Sequence, residues 1–294
     1  MPLFEGGPAG ATPGWADLAA FARLVEDVGF DSLWIPDHLL FRAADGTASG
    51  IWEGWSVLTA LAAATERVEL GSFVTCAGWR NPALLAKMAA TVDEISGGRL
   101  ILGLGAGWQE PEFRAIGFPF DHRVARFDEA LTIVAGLLRT GQVDVEGTYW
   151  SARDCELRPR GPRPNGPPIM IGTTGKRMLE LTARHADHWN VWFDEIDNSL
   201  DRLTTLLEQV DAACEAVGRA SGTLERSAAV CVEAVPHSPS PWSVPPLTGT
   251  PDELADRLRA YTAIGVTHIQ VLPVPNTLAG LEAFARVLQA MDRG

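Results

Sequence analysis

Two adjacent side chains, Asp37 and His38, are the first candidates for chemistry in this sequence. They follow the apolar run LWIP, where a strand is predicted to end, and apolar residues resume directly after them. An imidazole can transfer a proton near neutral pH, and an adjacent carboxylate can orient the ring or raise its pKa. The pair therefore indicates acid–base chemistry at a strand end. The alternative is a loop histidine bonded to a backbone carbonyl, because a single Asp-His pair is common.

Small residues crowd the end of the next predicted strand, in the stretch GSFVTCAGW. Thr75 and Cys76 lie at this strand end, where small side chains would let the backbone approach a flat ligand closely. Ordinary packing explains the same pattern. A nucleophilic role for Cys76 would need a base and an electropositive setting, which the sequence does not show.

A glycine-rich turn ends the following strand, in the stretch GLGAGWQEPEF. Gly107 closes a GxGxG pattern and Trp108 follows it, a spacing that differs from the GxGxxG of dinucleotide-binding folds. Glycine at such a turn can also serve tight packing alone. The carboxylates of Glu110 and Glu112 come next, either as candidate acids or as solvated loop charges.

The stretch IGTTGKR opens a predicted helix and is the best candidate in the chain for binding an anion. Backbone N–H groups at a helix N-terminus attract phosphate, and Gly172 and Gly175 would allow a close approach. Thr173 and Thr174 add hydroxyl donors. The spacing is not that of a Walker A loop, and a plain capped helix start is the alternative.

Other catalytic classes have little support in the sequence. His185 and His188 flank Asp187, but the early-strand His-x-His of a metal-dependent barrel hydrolase is absent, so we predict no metal site. No GxSxG elbow indicates a serine hydrolase. The two lysines, Lys87 and Lys176, fall on predicted helices and so argue against a Schiff base inside a barrel.

The candidate residues above were placed at strand ends because strands and helices are predicted to alternate regularly along the chain. Eight strands are predicted, at residues 2–4, 32–36, 69–75, 100–104, 169–171, 189–192, 228–235 and 269–272. Eight helices are predicted, at residues 15–28, 55–65, 82–95, 124–138, 176–184, 200–217, 251–264 and 278–291. Alternation of this kind implies a parallel sheet, because parallel crossovers need a covering helix.

Eight strand–helix units predict an α/β fold, a (β/α)8 TIM barrel, as one domain over residues 1–294. The stretches 39–54, 141–167 and 236–249 are predicted loop insertions. We place them at the C-terminal mouth of the barrel, where active sites of this fold lie.

Composition and charge limit the kinds of partner that this protein is expected to bind. The chain has 294 residues, 46% of them hydrophobic, and a net charge of −13 that would repel a nucleic-acid backbone. Its four cysteines are scattered, which favours reduced thiols. No apolar run approaches the ~18 residues of a membrane span. We therefore expect a cytoplasmic protein with a small-molecule substrate and neither nucleic acid nor membrane as a partner.

Five segments together resemble the bacterial luciferase-like monooxygenase family. They are GFDSLWIPDHLLF, RVELGSFV, NPALLAKMAATVDEISGGRLILGLGAGWQEPEFRAIG, PPIMIGTTGKRMLELTARHADHWN and GTPDELADRLRAYTAIGVTHIQVLP. They run in order through nearly the whole chain. The resemblance implies a (β/α)8 barrel that binds a flavin, or the deazaflavin coenzyme F420, at its C-terminal mouth, and it implies a homodimer.

Within that family, the Asp-His pair resembles the branch that uses coenzyme F420. The resemblance implies that His38 lies near the reactive ring, with Asp37 beside it. Glu110 is a candidate acid by its place in the sequence alone. The residues predicted to bind the cofactor, from the resemblance and from the glycine-rich turn together, are His38, Thr75, Cys76, Gly107, Trp108, Gly172, Thr173, Thr174 and Gly175. It also implies a non-proline cis peptide near residues 75–76.

One position departs from the family pattern. Some F420-dependent sugar-phosphate dehydrogenases carry a glutamate where this sequence has Trp108. Their assignment of an acid therefore does not transfer to this chain, and the sequence does not support a sugar-phosphate substrate.

The sequence thus predicts an F420-dependent oxidoreductase that transfers a hydride between the deazaflavin and a small organic substrate. The alternative is an FMN-dependent monooxygenase that receives reduced flavin from a partner reductase. Two further hypotheses remain open: a flavin-binding protein without activity, and a barrel enzyme without redox chemistry.

Overall fold

Helices and strands alternate through the chain, and the computed structural model describes residues 1–7, 10–42 and 45–293. The helices are α1 (Trp15–Asp27), α2 (Gly54–Ala64), α3 (Pro82–Ile95), α4 (Glu110–Ile116), α5 (Arg123–Thr140), α6 (Lys176–His185), α7 (Leu200–Ala216), α8 (Pro251–Ala263) and α9 (Leu278–Asp292). The strands are β1 (Ser32–Ile35), β2 (Leu40–Arg42), β3 (Ala48–Gly50), β4 (Glu69–Ser72), β5 (Thr75–Cys76), β6 (Leu100–Gly105), β7 (Gln142–Glu146), β8 (Ser151–Glu156), β9 (Ile169–Gly172), β10 (His188–Val191), β11 (Glu225–Glu233) and β12 (His268–Val274).

One eight-stranded sheet runs in the order β1-β4-β6-β9-β10-β11-β12, and β5 pairs with β6 beside this path. Its ladders are parallel, as in the pairing of Leu70 with Leu100 and of Ser227 with His268. All six residues of β6 are buried, as expected for a parallel strand covered by helices. The predicted class, an α/β fold of the (β/α)8 barrel type, is confirmed.

Two details of the predicted strands are wrong. Residues 2–4 were expected to form the first strand, but the structure has a single bridge residue there, Phe4, because a three-residue segment that includes a proline offers few ladder donors. The predicted strand 69–75 is split into β4 and β5. The cis peptide lies in this break, between Phe73 and Val74, two residues before the expected position.

The predicted insertions contain more regular structure than expected. Leu40 pairs with Gly50 in the antiparallel hairpin β2–β3, although residues 43–44 lie outside the described part of the chain. Residues 141–167 contain a second antiparallel hairpin, β7–β8, which leads into the start of β9. Arg163 of this stretch donates to the carbonyl of Leu100 at the start of β6, so the insertion lies at the N-terminal ends of the strands, and its predicted place at the C-terminal mouth is wrong. After β11 the chain is irregular, and Leu247 forms one bridge with Val232.

The chain groups into two compact units, Trp34–Ile171 and Met1–Leu33 with Gly172–Gly294. In the Trp34–Ile171 unit, α3 begins where the side chain of Asn81 accepts a hydrogen bond from the N–H of Ala83 at 3.0 Å. In the second unit, the rings of Phe30 and Phe284 stack at 5.6 Å. The prediction of a single domain remains a prediction.

Candidate functional site

Glu112 holds the imidazole of His38 in the Trp34–Ile171 unit. Its Oε2 lies 3.0 Å from Nδ1 of His38, and its Oε1 accepts hydrogen bonds from the backbone N–H groups of Leu39 and, at 2.9 Å, Leu40. Only 1% of Glu112 is exposed. Burial would be unfavourable for this carboxyl group without these three partners.

The bonding of Glu112 sets which nitrogen of His38 can meet a ligand. An ionised carboxylate only accepts hydrogen bonds, so the proton of the neutral imidazole sits on Nδ1. The other nitrogen, Nε2, then carries the lone pair, so it can take up a proton and afterwards give it back, and no residue in the described ranges bonds to it. The arrangement can therefore carry out acid–base chemistry at Nε2.

Asp37 has a different set of partners from His38. Its carboxylate accepts two hydrogen bonds from Arg80, at 2.7 and 2.9 Å, and one from the N–H of Cys76 at 3.0 Å. Burial raises the pKa of Asp37, and the guanidinium and the amide oppose that rise. Burial also works to lower the pKa of Arg80, but its bonds to Asp37 outweigh this and raise it. The predicted catalytic aspartate thus ties the end of β1 to β5.

Arg80 extends this network to α2. It donates to Oε1 of Glu53 at 2.9 Å, and Glu53 caps α2 by accepting from the N–H of Ser56 at 2.7 Å. Trp55, in the first turn of that helix, donates through Nε1 to Oγ1 of Thr75 at 3.1 Å. The network fixes the residue before His38, while Glu112 holds the two residues after it.

Cys76 is buried and packs in one cluster with Trp79 and Phe113. Burial raises the pKa of its thiol to about 12, so the group is a neutral thiol at physiological pH and a poor nucleophile. Thr75, the other predicted cofactor contact of β5, is fully buried. Both side chains therefore shape the surroundings of His38 mainly through packing.

Aromatic rings surround the imidazole of His38. Ring centroids lie at 4.5 Å for Phe41, 5.9 Å for Trp108 and 6.3 Å for Trp79. Trp108 is 67% exposed, so its indole offers a free aromatic surface beside the histidine. Walls of this kind suit a flat organic ligand.

Gly107 lets two chain segments meet beside these rings. Its φ is +80°, and a Cβ there would lie 2.5 Å from Cζ of Phe113 and 2.7 Å from Sγ of Cys76. Any side chain would therefore displace the cluster of Cys76 and Phe113. Gly107 was predicted to bind the cofactor, but the packing of Phe113 and Cys76 already requires a glycine at this position.

Glu110, the predicted acid, lies at the surface. Its side chain is 51% exposed and accepts a hydrogen bond from Arg114 at 2.8 Å, one turn along α4. The second glutamate of the QEPE stretch, Glu112, is the one bonded to His38. The sequence indicated both Glu110 and Glu112 as candidates. The structure distinguishes them, because the N–H groups of residues 39 and 40 bond to Glu112.

The predicted phosphate loop belongs to the second unit. Gly172 ends β9, and Gly175 is the N-cap of α6 with an ordinary extended conformation. The N–H of Gly175 donates to Oγ1 of Thr173 at 3.2 Å, and Nε1 of Trp189 donates to the carbonyl of Thr173 at 2.8 Å. Thr174 is half-buried. The loop thus has a fixed shape at the start of a ten-residue helix.

Sequence reasoning missed Arg80 and the pairing of Glu112 with His38. Arg80 gave no signal, because it follows Trp79 in what looks like an ordinary loop. Across residues 1–7, 10–42 and 45–293, no group of three or more histidine, cysteine, aspartate or glutamate side chains is arranged to hold a metal ion. Within the same residues, no helix combines the length and hydropathy needed to cross a bilayer.

Comparison with known proteins identifies the family. Residues 1–238 match the model of the luciferase-like monooxygenases. The chain belongs to this family. The luciferase-like chain is also similar in fold to the coenzyme F420-dependent tetrahydromethanopterin reductase of Methanopyrus kandleri, with a TM-score of 0.76, 20% identity and 96% of each chain covered.

Three relatives illustrate the range of luciferase-like proteins that match. The 5,10-methylenetetrahydromethanopterin reductase of Archaeoglobus fulgidus is 36% identical over 171 residues, or 58% of this chain and 47% of that protein. The F420-dependent glucose-6-phosphate dehydrogenase of Kineococcus radiotolerans is 33% identical over 218 residues, or 71% and 61%. The pyrimidine monooxygenase RutA of Cronobacter turicensis is 32% identical over 177 residues, or 58% and 46%. The chain thus spans about half the length of the first and the third.

Proposed function

We propose that this luciferase-like protein is an oxidoreductase that uses coenzyme F420 and acts on a small organic substrate. The bond between Glu112 and His38 carries the proposal, because it prepares Nε2 for proton transfer beside exposed aromatic surface. A bound deazaflavin would supply or accept the hydride. In this proposal, His38 gives or takes the proton that accompanies hydride transfer.

The residues present suit a flat redox cofactor. Trp108 and Trp79 flank the imidazole, and the packing at Gly107 leaves no side chain at that turn. We propose that His38, Trp79 and Trp108 contact the ring. Thr75 and Cys76 contribute to this contact by positioning the backbone beside it.

We propose separately that the loop of Gly172, Thr173, Thr174 and Gly175 binds a phosphate of the cofactor. The N-terminus of α6 supplies a favourable field for an anion. In this proposal the backbone amides of the first turn of α6 and the hydroxyl of Thr173 serve as donors, and the hydroxyl of Thr174 turns to the phosphate from its bond with Glu195.

An FMN-dependent monooxygenase is the second candidate function. RutA is a relative named as a monooxygenase, and it is as similar to this chain as several F420-dependent relatives are. In that case a partner reductase would supply reduced flavin. Two observations favour coenzyme F420 over FMN. Several relatives have F420 in their names, and the Asp37-His38 pair resembles the branch of the family that uses F420.

Titration with the two cofactors distinguishes an F420-dependent oxidoreductase from an FMN-dependent monooxygenase. Purified protein is titrated with oxidised coenzyme F420 and, separately, with FMN, while ligand absorbance and tryptophan fluorescence are followed. Tighter binding of F420 is expected, and an His38→Ala variant is expected to bind it but lose turnover. Tighter binding of FMN would favour the monooxygenase, and binding of neither would favour a protein without redox activity. A homodimer and a cytoplasmic location remain predictions.

A further inference from the structure

A carboxyl group, that of Glu195, is bonded to the loop for which phosphate binding is proposed. Glu195 lies in the short helical turn after β10, Phe193–Ile196, and its carboxyl group bonds to the hydroxyl of Thr174. Both residues belong to the second unit. Glu195 as a whole is exposed, but its carboxyl end packs against the chain, and this burial raises its pKa although the bond to Thr174 opposes the rise. An acidic group thus lies at a loop where an anion is expected.

Several donors of this loop already have partners within the protein. The N–H of Thr173 donates to the carbonyl of Asn190 at 3.1 Å, and the N–H of Gly175 donates to Oγ1 of Thr173 at 3.2 Å. The first turn of α6 adds the N–H groups that every helix leaves unpaired at its start. A helix N-terminus has the effect of about half a positive charge. The loop therefore balances little of a second negative charge on a phosphate.

Charged side chains of both signs flank the loop. Asp194 precedes Glu195 and accepts a hydrogen bond from Ser243 at 3.4 Å, and its charge adds to the rise in the pKa of Glu195. Lys176 and Arg177 lie in the first turn of α6, and both are exposed. Water and salt weaken the attraction of such exposed cations for an anion. Glu195 is bonded to the loop itself, so its charge acts on a bound anion directly.

We propose that Glu195 makes the loop select a phosphate with one negative charge, as in a phosphodiester, over a phosphomonoester with two. When the hydroxyl of Thr174 turns to the phosphate, the carboxylate of Glu195 loses that partner and faces the anion. The repulsion between the two groups grows with the charge of the anion. This inference rests on the proposed function and adds a residue that determines its cofactor specificity.

Selection by phosphate charge separates the two cofactors considered for this protein. The phosphate of coenzyme F420 is a diester with a single negative charge. The phosphate of FMN is a monoester whose second pKa is about 6, so it carries nearly two negative charges at neutral pH. Glu195 therefore favours F420 over FMN through the charge of the phosphate, whichever ring the cofactor carries.

Three forms of one ring system test the inference: deazariboflavin, its phosphate monoester and the methyl ester of that phosphate. Calorimetric titration measures the binding of each form at about pH 8, where the monoester carries two charges. The methyl ester should bind about tenfold more tightly than the monoester, because only the monoester brings a second charge to Glu195. At about pH 5 the monoester also carries a single charge, and the preference should disappear. The same three forms of riboflavin are titrated in parallel.

Glu195→Gln removes the charge and keeps an oxygen to which Thr174 can donate. Affinity for the monoester should rise about tenfold, so that the preference for the diester is lost, and affinity for the form without phosphate should not change. Glu215→Gln is the matched control. Glu215 is exposed near the end of α7, about 20 Å along that helix from its start, and its substitution should keep the preference of the parent protein.

Several outcomes would overturn the inference. Equal affinity of the parent protein for the two phosphate forms at about pH 8 would do so, as would a preference that persists in Glu195→Gln. If neither phosphate form bound more tightly than the form without phosphate, the loop would not hold the phosphate. Failure of the proposed function is distinguishable, because the riboflavin series would then bind more tightly than the deazariboflavin series while the diester was still preferred. Binding of neither ring would overturn both.

Discussion

Oε2 of Glu112 lies 3.0 Å from Nδ1 of His38, while its Oε1 accepts the N–H groups of residues 39 and 40. The backbone thus decides which carboxylate oxygen faces the ring. The imidazole is fixed in one orientation, with its Nδ1 proton on the carboxylate side. The function of His38 therefore depends on a residue that lies 74 positions further along the chain.

Glu112→Gln should lower turnover about 100-fold or more, the usual contribution of acid–base catalysis. The two backbone N–H groups will retain the amide oxygen, so the NH2 group will face His38. Nδ1 must then accept, and the proton of the neutral imidazole moves to Nε2. Steady-state kinetics measure the loss, and nitrogen NMR of labelled histidine reports the change of tautomer.

Glu110→Gln is the matched control for this substitution. Glu110 is exposed and forms an ion pair with Arg114, and such surface pairs contribute at most about 1 kcal/mol. Turnover and stability should both stay close to those of the parent protein. Equal losses in the two variants would contradict the assignment to Glu112 and restore Glu110 as the acid.

Arg80→Gln should lower the free energy of unfolding by about 3 kcal/mol or more, because it leaves the buried carboxylate of Asp37 without its counter-charge. Urea denaturation measures the change. Arg114→Gln removes an exposed partner from an ion pair and should cost less than about 1 kcal/mol. Similar costs in both variants would show that the Asp37–Arg80 pair does not stabilise the fold.

Local patterns predicted most elements but not the site. The prediction for α3 matches because Asn81 and Pro82 mark its start and the glycines after Ser96 mark its end. The hairpin β7–β8 was missed because β7 only alternates exposed with half-buried residues and β8 has a single buried residue, Ala152, so the apolar pattern is weak. Asp37 and His38 are neighbours in sequence, yet successive side chains in an extended segment point in opposite directions.

The sequence also could not show whether Glu110 or Glu112 is the hydrogen-bond partner of His38. Glu110 and Glu112 both follow Trp108, and nothing local marks one as buried. The amides of residues 39 and 40 are brought to Glu112 by the tertiary fold. Long-range contacts of this kind leave no periodic pattern in either segment.

Two half-buried histidines in the second unit, His188 and His268, should make stability depend on pH. Burial lowers the pKa values of His188 and His268 below the ordinary value of 6.5. Asp187 and Glu225 oppose the shift of His188, and Asp31 and Glu225 oppose that of His268. As the pH falls below 6.5, the unfolded chain therefore takes up protons before the folded protein does, and the free energy of unfolding decreases.

The double variant His188→Gln and His268→Gln should show a flatter dependence of unfolding free energy on pH below about 6.5. Denaturant unfolding at a series of pH values measures the slope. The exposed His237 provides the control, since His237→Asn should keep the slope of the parent protein. An unchanged slope in the double variant would mean that other groups control acid sensitivity.

The loop before α6 should discriminate phosphorylated from dephosphorylated cofactor. Thr174→Val removes a hydroxyl that is bonded to Glu195 and that the proposal turns towards the phosphate, and it keeps the shape of the side chain. Affinity for the phosphorylated cofactor should fall about tenfold, the effect of one hydrogen bond to a charged group. Affinity for the same cofactor without its phosphate should not change, and calorimetric titration measures both.

The control for Thr174→Val is the removal of a threonine hydroxyl that lies outside the loop. Thr204 lies on α7 and donates to the carbonyl of Leu200 at 2.9 Å, so Thr204→Val removes a hydroxyl away from the loop and should leave both affinities unchanged. High salt should weaken binding of the phosphorylated form only, because ions screen the attraction between the anion and the exposed helix N-terminus. Equal weakening of both cofactor forms by Thr174→Val would place this loop against the uncharged part of the cofactor and remove the assignment to phosphate.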